Sequence, residues 1–145
     1  MASMREVYTD FDIPVEPGKV WRALTDFPSY PQWAPFLESV KGNAVPGETL
    51  LVVAKAPGLF RMKLSPVVQS ATPGYNLRWR GVVGAGWLFA GTHEWLLEPQ
   101  RDGGTHVIHR ERFTGLLSWF IAPLLTPSLA KGFRQFNAAF WKRCQ

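Results

Sequence analysis

The sequence predicts an α+β domain: a curved antiparallel sheet wrapped around one long C-terminal helix, with two short helices after the first strand. Three observations predict it. Residues 7–13 alternate apolar and polar side chains, the mark of a half-buried strand. Residues 36–113 form short alternating runs separated by Pro, Gly and Asn turn signals. Beyond residue 126 the apolar period changes from two to about 3.6.

Val7, Thr9, Phe11 and Ile13 share one face of the first strand, and Tyr8, Asp10 and Asp12 share the other. Pro14 ends it, and Pro17 suits the first position of a helix. Val20, Trp21, Leu24 and Phe27 continue that helix to about Asp26. Pro28, Pro31 and Pro35 interrupt the chain, so Tyr30 and Trp33 mark a tight turn or a second, very short helix. Strands follow at 49–55, 59–69, 76–82, 87–98 and 105–113, which with residues 7–13 and a run after Phe36 makes about seven. Pro66 inside 59–69 implies an edge or a bulge. Thr126-Pro127 reads as an N-cap and first helical residue, with an earlier start near Ser118 and a kink at 123–127 as the alternative. Leu129, Phe133, Phe136, Asn137 and Phe140 then form one helical stripe. That stripe must cover the sheet, and strong curvature leaves a hollow between them.

Composition narrows the function classes. The 145 residues suit one domain, 1–145. A chain of this size buries about 68–70 % of its unfolded surface and needs no disulfide or metal to hold a core. Aromatic residues are 14 %, enough to fill a core or line a cavity. The net charge of +5 is scattered, with no basic run that would indicate nucleic acid. It leaves a weak attraction to anionic surfaces, hence transient membrane contact. The one cysteine, Cys144, forms no internal disulfide, in keeping with a reducing cytoplasm. Residues 1–12 hold no apolar signal core, and Met4 is an alternative start. The apolar stretch 116–125 is broken by Ser118 and Pro123, too short for a membrane span of roughly 20 residues. It is expected to pack over the mouth of the hollow; the alternative is an exposed patch for a membrane or a second copy.

Alternation assigns the chemistry-bearing side chains. Phe89, Gly91, His93, Trp95 and Leu97 face inward from the penultimate strand, and Val107, His109, Glu111 and Phe113 from the last. Joining odd to odd positions needs a loop with an odd number of residues, which Arg101-Asp102-Gly103 supplies. That register sets His93 opposite Glu111 and Trp95 opposite His109, with Cβ atoms about 4.5–5.5 Å apart. Three roles suit such a cluster. It satisfies itself as buried polar groups do, it orients a ligand in an apolar pocket, or His93 or His109 acts as general base with Glu111 orienting it. Two imidazoles and one carboxylate also match a metal triad in type, but their spacing is not distinctive and no metal is assigned. Trp33, Phe36, Phe60, Met62, Trp79, Trp87, Phe89, Trp95 and Phe113 are the candidate walls, with Phe133 and Phe136 from the helix. Asn137, an amide on an apolar stripe, needs a partner.

Three stretches carry a resemblance to a known superfamily: Ile13-Pro14 followed by Val20-Trp21-Arg22-Ala23-Leu24-Thr25-Asp26; Tyr30-Pro31-Gln32-Trp33-Ala34-Pro35-Phe36; and Gly91-Thr92-His93-Glu94-Trp95 with Leu97-Glu98-Pro99 and His109-Arg110-Glu111-Arg112-Phe113-Thr114-Gly115. In this order they resemble the START and birch-pollen-allergen-like (SRPBCC) group, in particular its bacterial polyketide cyclase/dehydratase-like members. The chain has Ala34 where that group often has Asn, so no role of that Asn carries over. The resemblance implies the helix-grip fold and a cavity for lipids, sterols or polyketides. The expectation is a binder or carrier of a small hydrophobic molecule, acting as monomer or homodimer without a cofactor. A cyclase or dehydratase is the runner-up, and a chaperone-activator type of interaction module the third. An interior filled by its own Trp and Phe rings, with an exposed apolar patch, would favour the third.

Overall fold

The computed structural model describes residues 5–145; the alternative start at Met4 lies outside them. The elements are β1 (Glu6–Ile13), α1 (Pro17–Thr25), a 3-10 turn (Phe27–Ser29), α2 (Tyr30–Trp33), β2 (Leu37–Lys41), β3 (Leu51–Ala54), β4 (Met62–Leu64), β5 (Val67–Thr72), β6 (Asn76–Val82), β7 (Ala90–Pro99), β8 (Thr105–Thr114) and α3 (Ser118–Arg143). One antiparallel sheet runs β1-β8-β7-β6-β5 and a second runs β2-β3-β4. A single bridge, Thr49 to Val67, links them. With α3 laid across the inner face, this is the helix-grip arrangement the sequence predicts.

Pro66 explains why there are eight strands and not seven. It has no N–H to give to a ladder, and its carbonyl accepts instead from Leu50 N at 2.8 Å. The run 59–69 therefore breaks, leaving β4 in one sheet and β5 in the other. Pro17 opens α1 as expected, with the Glu16 carboxylate accepting from Gly18 N at 2.9 Å.

Thr126-Pro127 does not begin α3. The helix starts at Ser118 and runs through both Pro123 and Pro127. Each proline removes a helical hydrogen bond, but the first turn is anchored from outside. Leu116 N and Leu117 N donate to the carbonyls of Trp87 and Leu88 at 2.8 and 2.9 Å, and Ser118 Oγ donates to Gly115 O at 2.6 Å. Fixing the start by tertiary bonds outweighs the local propensity to begin later.

Residues 116–125 do not close over the interior. Ser118 and Ala122, both small, take the buried positions, which turns Trp119, Phe120 and Leu124 outward. Beyond them the expected stripe is buried: Leu129, Phe133, Phe136, Asn137 and Phe140. No helix of the described residues is long and apolar enough to cross a membrane.

Candidate functional site

β7 and β8 meet in the register that side-chain parity predicts. His93 pairs with Glu111 and Trp95 with His109, and Thr9 of β1 pairs with His109 from the other side. Gln100 N donates to Gly104 O at 2.9 Å, closing the loop that sets this register. Three strands thus aim two imidazoles, a carboxyl and a hydroxyl at α3, where Asn137 waits.

The hydrogen bonds among them can run in only one direction. A backbone carbonyl only accepts, so Thr9 Oγ1 donates to His109 O at 2.7 Å. Thr9 Oγ1 must then accept from Asn137 Nδ2, at 2.9 Å. That turns Asn137 Oδ1 toward His109, whose Nδ1–H donates to it at 2.7 Å. His109 Nε2 is left with its lone pair, so His93 donates to it from Nε2, again at 2.7 Å. His93 Nδ1 ends as a bare acceptor, 3.8 Å from Glu111 Oε1. The tautomers follow from this bookkeeping of donors and acceptors.

Burial agrees with two neutral rings. Burial, then the neighbouring His109, holds His93 well below the usual imidazole range, and burial lowers His109 to about 3. His93 and Glu111 are therefore not an ion pair. Burial instead raises Glu111 to about 7. An ionised Glu111 would face the bare lone pair of His93, which favours the protonated carboxyl in the same direction as burial does. The side chain keeps 17 % of its exposure, so solvent or a ligand can reach it. Among the described residues it makes no hydrogen bond.

Aromatic rings enclose the rest of the chain. His109 is sandwiched between Phe133, at 4.1 Å and 6° from parallel, and Trp95, at 4.7 Å and 15°. His93 stacks on Trp95 at 4.4 Å and on Phe133 at 5.0 Å. Trp79 and Phe136 complete the packing. Rings therefore occupy the place around the polar chain where the sequence predicts a hollow. Trp95 Nε1 is buried there without a hydrogen-bond partner. The Thr9–Asn137 end borders a surface hollow of about 380 Å3 between β1 and α3.

Next to Glu111 the inner face is floored by glycine. Gly81 and Gly91 are paired across β6 and β7, and Gly91 pairs onward with Phe113. A Cβ on Gly91 would stand 2.7 Å from Glu111 Oε2 and 3.2 Å from the Phe113 ring, so a side chain there would displace both. Phe89 stacks on Phe113 at 5.6 Å. Phe36 borders the same region with its ring centroid 6.5 Å from His93 and 5.3 Å from Phe133. Its φ of 68° is left-handed, the only such value outside glycine among the described residues. The ring is seated on Gly132, where a Cβ would come within 3.0 Å of it.

The other candidates scatter. Trp33 packs away from the glycine floor, against Tyr30, Phe136 and Phe140, with Nε1 donating to Ser29 Oγ at 3.0 Å. Met62 is half-buried in the smaller sheet. Phe60 and Trp87 are not walls of the interior: they are 76 % and 71 % exposed, because each sits in a loop beyond the end of its strand. Sequence reasoning passed over Thr9, although its place in the alternation of β1 marks a hydroxyl on an apolar face. It also gave no role to the Gly81–Gly91 pair, and nothing in the sequence signals the backbone of Phe36. The Nε2 atoms of the two imidazoles are turned on each other, and no group of three or more metal-binding side chains occurs among the described residues.

Residues 4–145 match the model of the family described as polyketide cyclase/dehydrase and lipid transport. No curated protein matches the sequence. Protein MLL2253 from Mesorhizobium loti superposes with a TM-score of 0.71 at 18 % identity, covering 96 % of each chain. TTHA0849 from Thermus thermophilus gives 0.72 at 18 % identity, also over 96 % of each. DynU16, a putative protein in the dynemicin biosynthetic locus, gives 0.71 at 18 % identity over 95 % of this chain and 46 % of its own. At such identities the likeness is one of fold.

Proposed function

We propose that this chain, which belongs to the polyketide cyclase/dehydrase and lipid-transport family, binds a small hydrophobic molecule through one oxygen-bearing group held by Glu111. The observation that carries the reading is the position of that carboxyl, buried among rings, partly open to solvent and without a hydrogen bond. Thr9, Asn137, His109 and His93 are each hydrogen-bonded to a neighbouring member of the chain. Glu111 alone ends the series without a hydrogen bond, partly open to solvent, beside a glycine floor and with its pKa raised by burial to about 7. A neutral carboxyl both donates and accepts, so it can hold a carbonyl or a hydroxyl. The apolar body of the ligand would lie over Gly81, where a Cβ would meet only Pro66 at 3.9 Å, against Phe89 and Phe113. A mostly apolar site with one placed polar group is how small molecules are usually held.

Native mass spectrometry after solvent extraction tests for a copurified ligand. Titration with a long-chain ketone or alcohol, followed by tryptophan fluorescence, tests the polar contact. Glu111→Leu should weaken these ligands by about tenfold or more, the loss of one buried hydrogen bond to a carboxyl, and leave the matching alkane unchanged. Equal losses for alkane and ketone, or no binding by the unaltered protein, would refute the proposal.

Two observations favour further readings. A carboxyl titrating near 7 is suited to general-acid work, which supports a cyclase or dehydratase; turnover of the bound ligand that falls as pH rises past about 7 would distinguish it from simple carriage. His109, with both ring nitrogens engaged inside the chain, is poorly placed as the base. The ring-filled interior together with exposed apolar side chains favours a docking role, which concerns a different surface.

A further inference from the structure

We propose that the end of the molecule bearing Trp87, Leu116, Trp119, Phe120 and Leu124 docks on an anionic lipid bilayer. These five side chains are 60–77 % exposed. They are also one patch. The Trp87 carbonyl accepts from Leu116 N at 2.8 Å, which ties the β6–β7 loop to the approach of α3. Phe120 and Leu124 are spaced by four residues on one face of α3, with Trp119 flanking them and Leu116 just before the helix. Five large apolar side chains at this exposure present on the order of 600 Å2, at the upper end of what a monomeric surface usually shows. None of the five belongs to the polar chain or to the glycine floor.

The charges around the patch select its occupant. Arg5 lies with its guanidinium carbon 3.9 Å from the Trp119 ring centroid. Arg80 reaches the β6–β7 loop, where a Cβ on Gly86 would stand 2.9 Å from its Nη2. Arg112 sits two residues before the end of β8, at the same end of the sheet. The one nearby acid paired with it is Glu6, at 3.3 Å. α3 contains no Asp or Glu at all, and its exposed face continues past Leu124 to Lys131 and Arg134.

A second copy of the chain is a poor occupant, because a two-fold contact would set this basic collar against itself. A bilayer with anionic headgroups meets both requirements. Tryptophan rings settle at the headgroup level, leucine and phenylalanine reach the acyl boundary, and arginines face the phosphates.

The test is co-sedimentation of the full chain with phosphatidylcholine vesicles, and with vesicles that also contain phosphatidylglycerol, read with the tryptophan emission maximum. The protein should partition onto the anionic vesicles with a blue shift, and added salt should release it. Phe120→Ser with Leu124→Ser, both at exposed positions, should reduce partitioning by at least about tenfold while the melting temperature stays unchanged. Arg80→Glu should weaken the preference for phosphatidylglycerol. His106→Gln, on the outer face of β8, should bind vesicles like the unaltered protein. Absence of partitioning, equal partitioning of the double variant, or equal affinity for both vesicle types would overturn the proposal. So would a dimer that dissociates in the double variant, which would assign the patch to a second copy. A cytosolic protein that competes with the vesicles for the patch would do the same in favour of a protein partner.

Discussion

Glu111→Gln turns the protonation state of the buried carboxyl into a stability measurement. In the unfolded chain Glu111 titrates near 4.5, and in the folded chain near 7. The folded state therefore holds the proton more tightly. The stability that goes with it is complete below about pH 4.5 and is lost as the pH rises to about 7, because above that the fold must accommodate a buried charge. A difference of about 2.5 units corresponds to roughly 3 kcal/mol at 1.36 kcal/mol per unit. The 17 % of the side chain that stays exposed lets solvent screen the charge, so about 2–3 kcal/mol is expected. Gln is nearly isosteric, does not ionise, and can offer an N–H toward His93 Nδ1 as the acid offers its O–H.

Urea unfolding followed by tryptophan fluorescence, at about pH 5, 6.5 and 8.5, supplies the comparison. Near pH 5 the two proteins should be of similar stability. Near pH 8.5 the variant should be more stable by about 2–3 kcal/mol, or roughly 4–12 °C in Tm for a chain of this size. His93 and His109 impose the opposite limb on both proteins. Their folded pKa values are depressed, so stability falls as the pH drops below about 6.5, where the unfolded imidazoles take up protons. Subtracting one curve from the other removes that shared limb. A constant difference across the three pH values would show that Glu111 is ionised in the fold throughout, and the one-way chain of hydrogen bonds would have lost its head.

Phe36→Gly should cost less stability than Phe36→Ala, the reverse of the usual order: both lose the buried ring, about 3–5 kcal/mol, but only Gly relieves a left-handed φ worth about 1–2 kcal/mol. Denaturation midpoints decide it, and Ala equal to or better than Gly would mean that Phe36 does not hold that backbone. Gly91→Ala should destabilise by about 1–3 kcal/mol through its 2.7 Å approach to Glu111 Oε2, and the cost should shrink in a Glu111→Ala background; a cost unchanged by that second substitution would place the clash elsewhere. His106, on the outer face, is raised by its hydrogen bond to Asp12 at 2.6 Å and by the charges of Asp12, Asp10 and Glu98. Its contribution is complete below about pH 6.5 and disappears as pH rises through the raised value, so His106→Gln should lower Tm near pH 5.5 and leave it unchanged near pH 9; equal losses at both would assign it a packing role only.

The parts of this fold visible in the sequence are those controlled by period. Alternation in 7–13, 87–98 and 105–113, with a three-residue loop, suffices to set His93 against Glu111, because a slip of one residue would send both rows to the wrong face. The stripe from Leu129 to Phe140 is legible for the same reason. What escapes period is whatever depends on contacts distant in sequence. The start of α3 is set by carbonyls of Trp87 and Leu88, about thirty residues upstream, which overrule a good local N-cap at Thr126. The exposure of Phe60 and Trp87 follows from where their loops end, and an aromatic residue carries no sign of that.

The polar chain is the most instructive case, because the sequence supplies its members without their direction. Two histidines and a glutamate invite the assignment of an imidazole base and an orienting carboxylate. Direction enters only with Thr9 and Asn137, which lie 128 residues apart. Once the His109 carbonyl obliges Thr9 to donate, every later donor and acceptor is forced, and the lone pair arrives at His93 Nδ1. The roles then invert: the imidazoles hold position as neutral relays between aromatic rings, and the carboxyl is the group that titrates near neutrality. Asn137→Asp would reverse the logic at its source. A carboxylate there favours a charged His109, which would donate from Nε2 and oblige His93 to present Nε2 as acceptor and Nδ1 as donor. Glu111 would then face an N–H and ionise more readily. Proton-detected NMR of the histidine side chains should show the changed tautomer of His93, together with a fall in the Glu111 pKa. An unchanged His93 tautomer in that variant would mean that Asn137 does not set the direction of the chain.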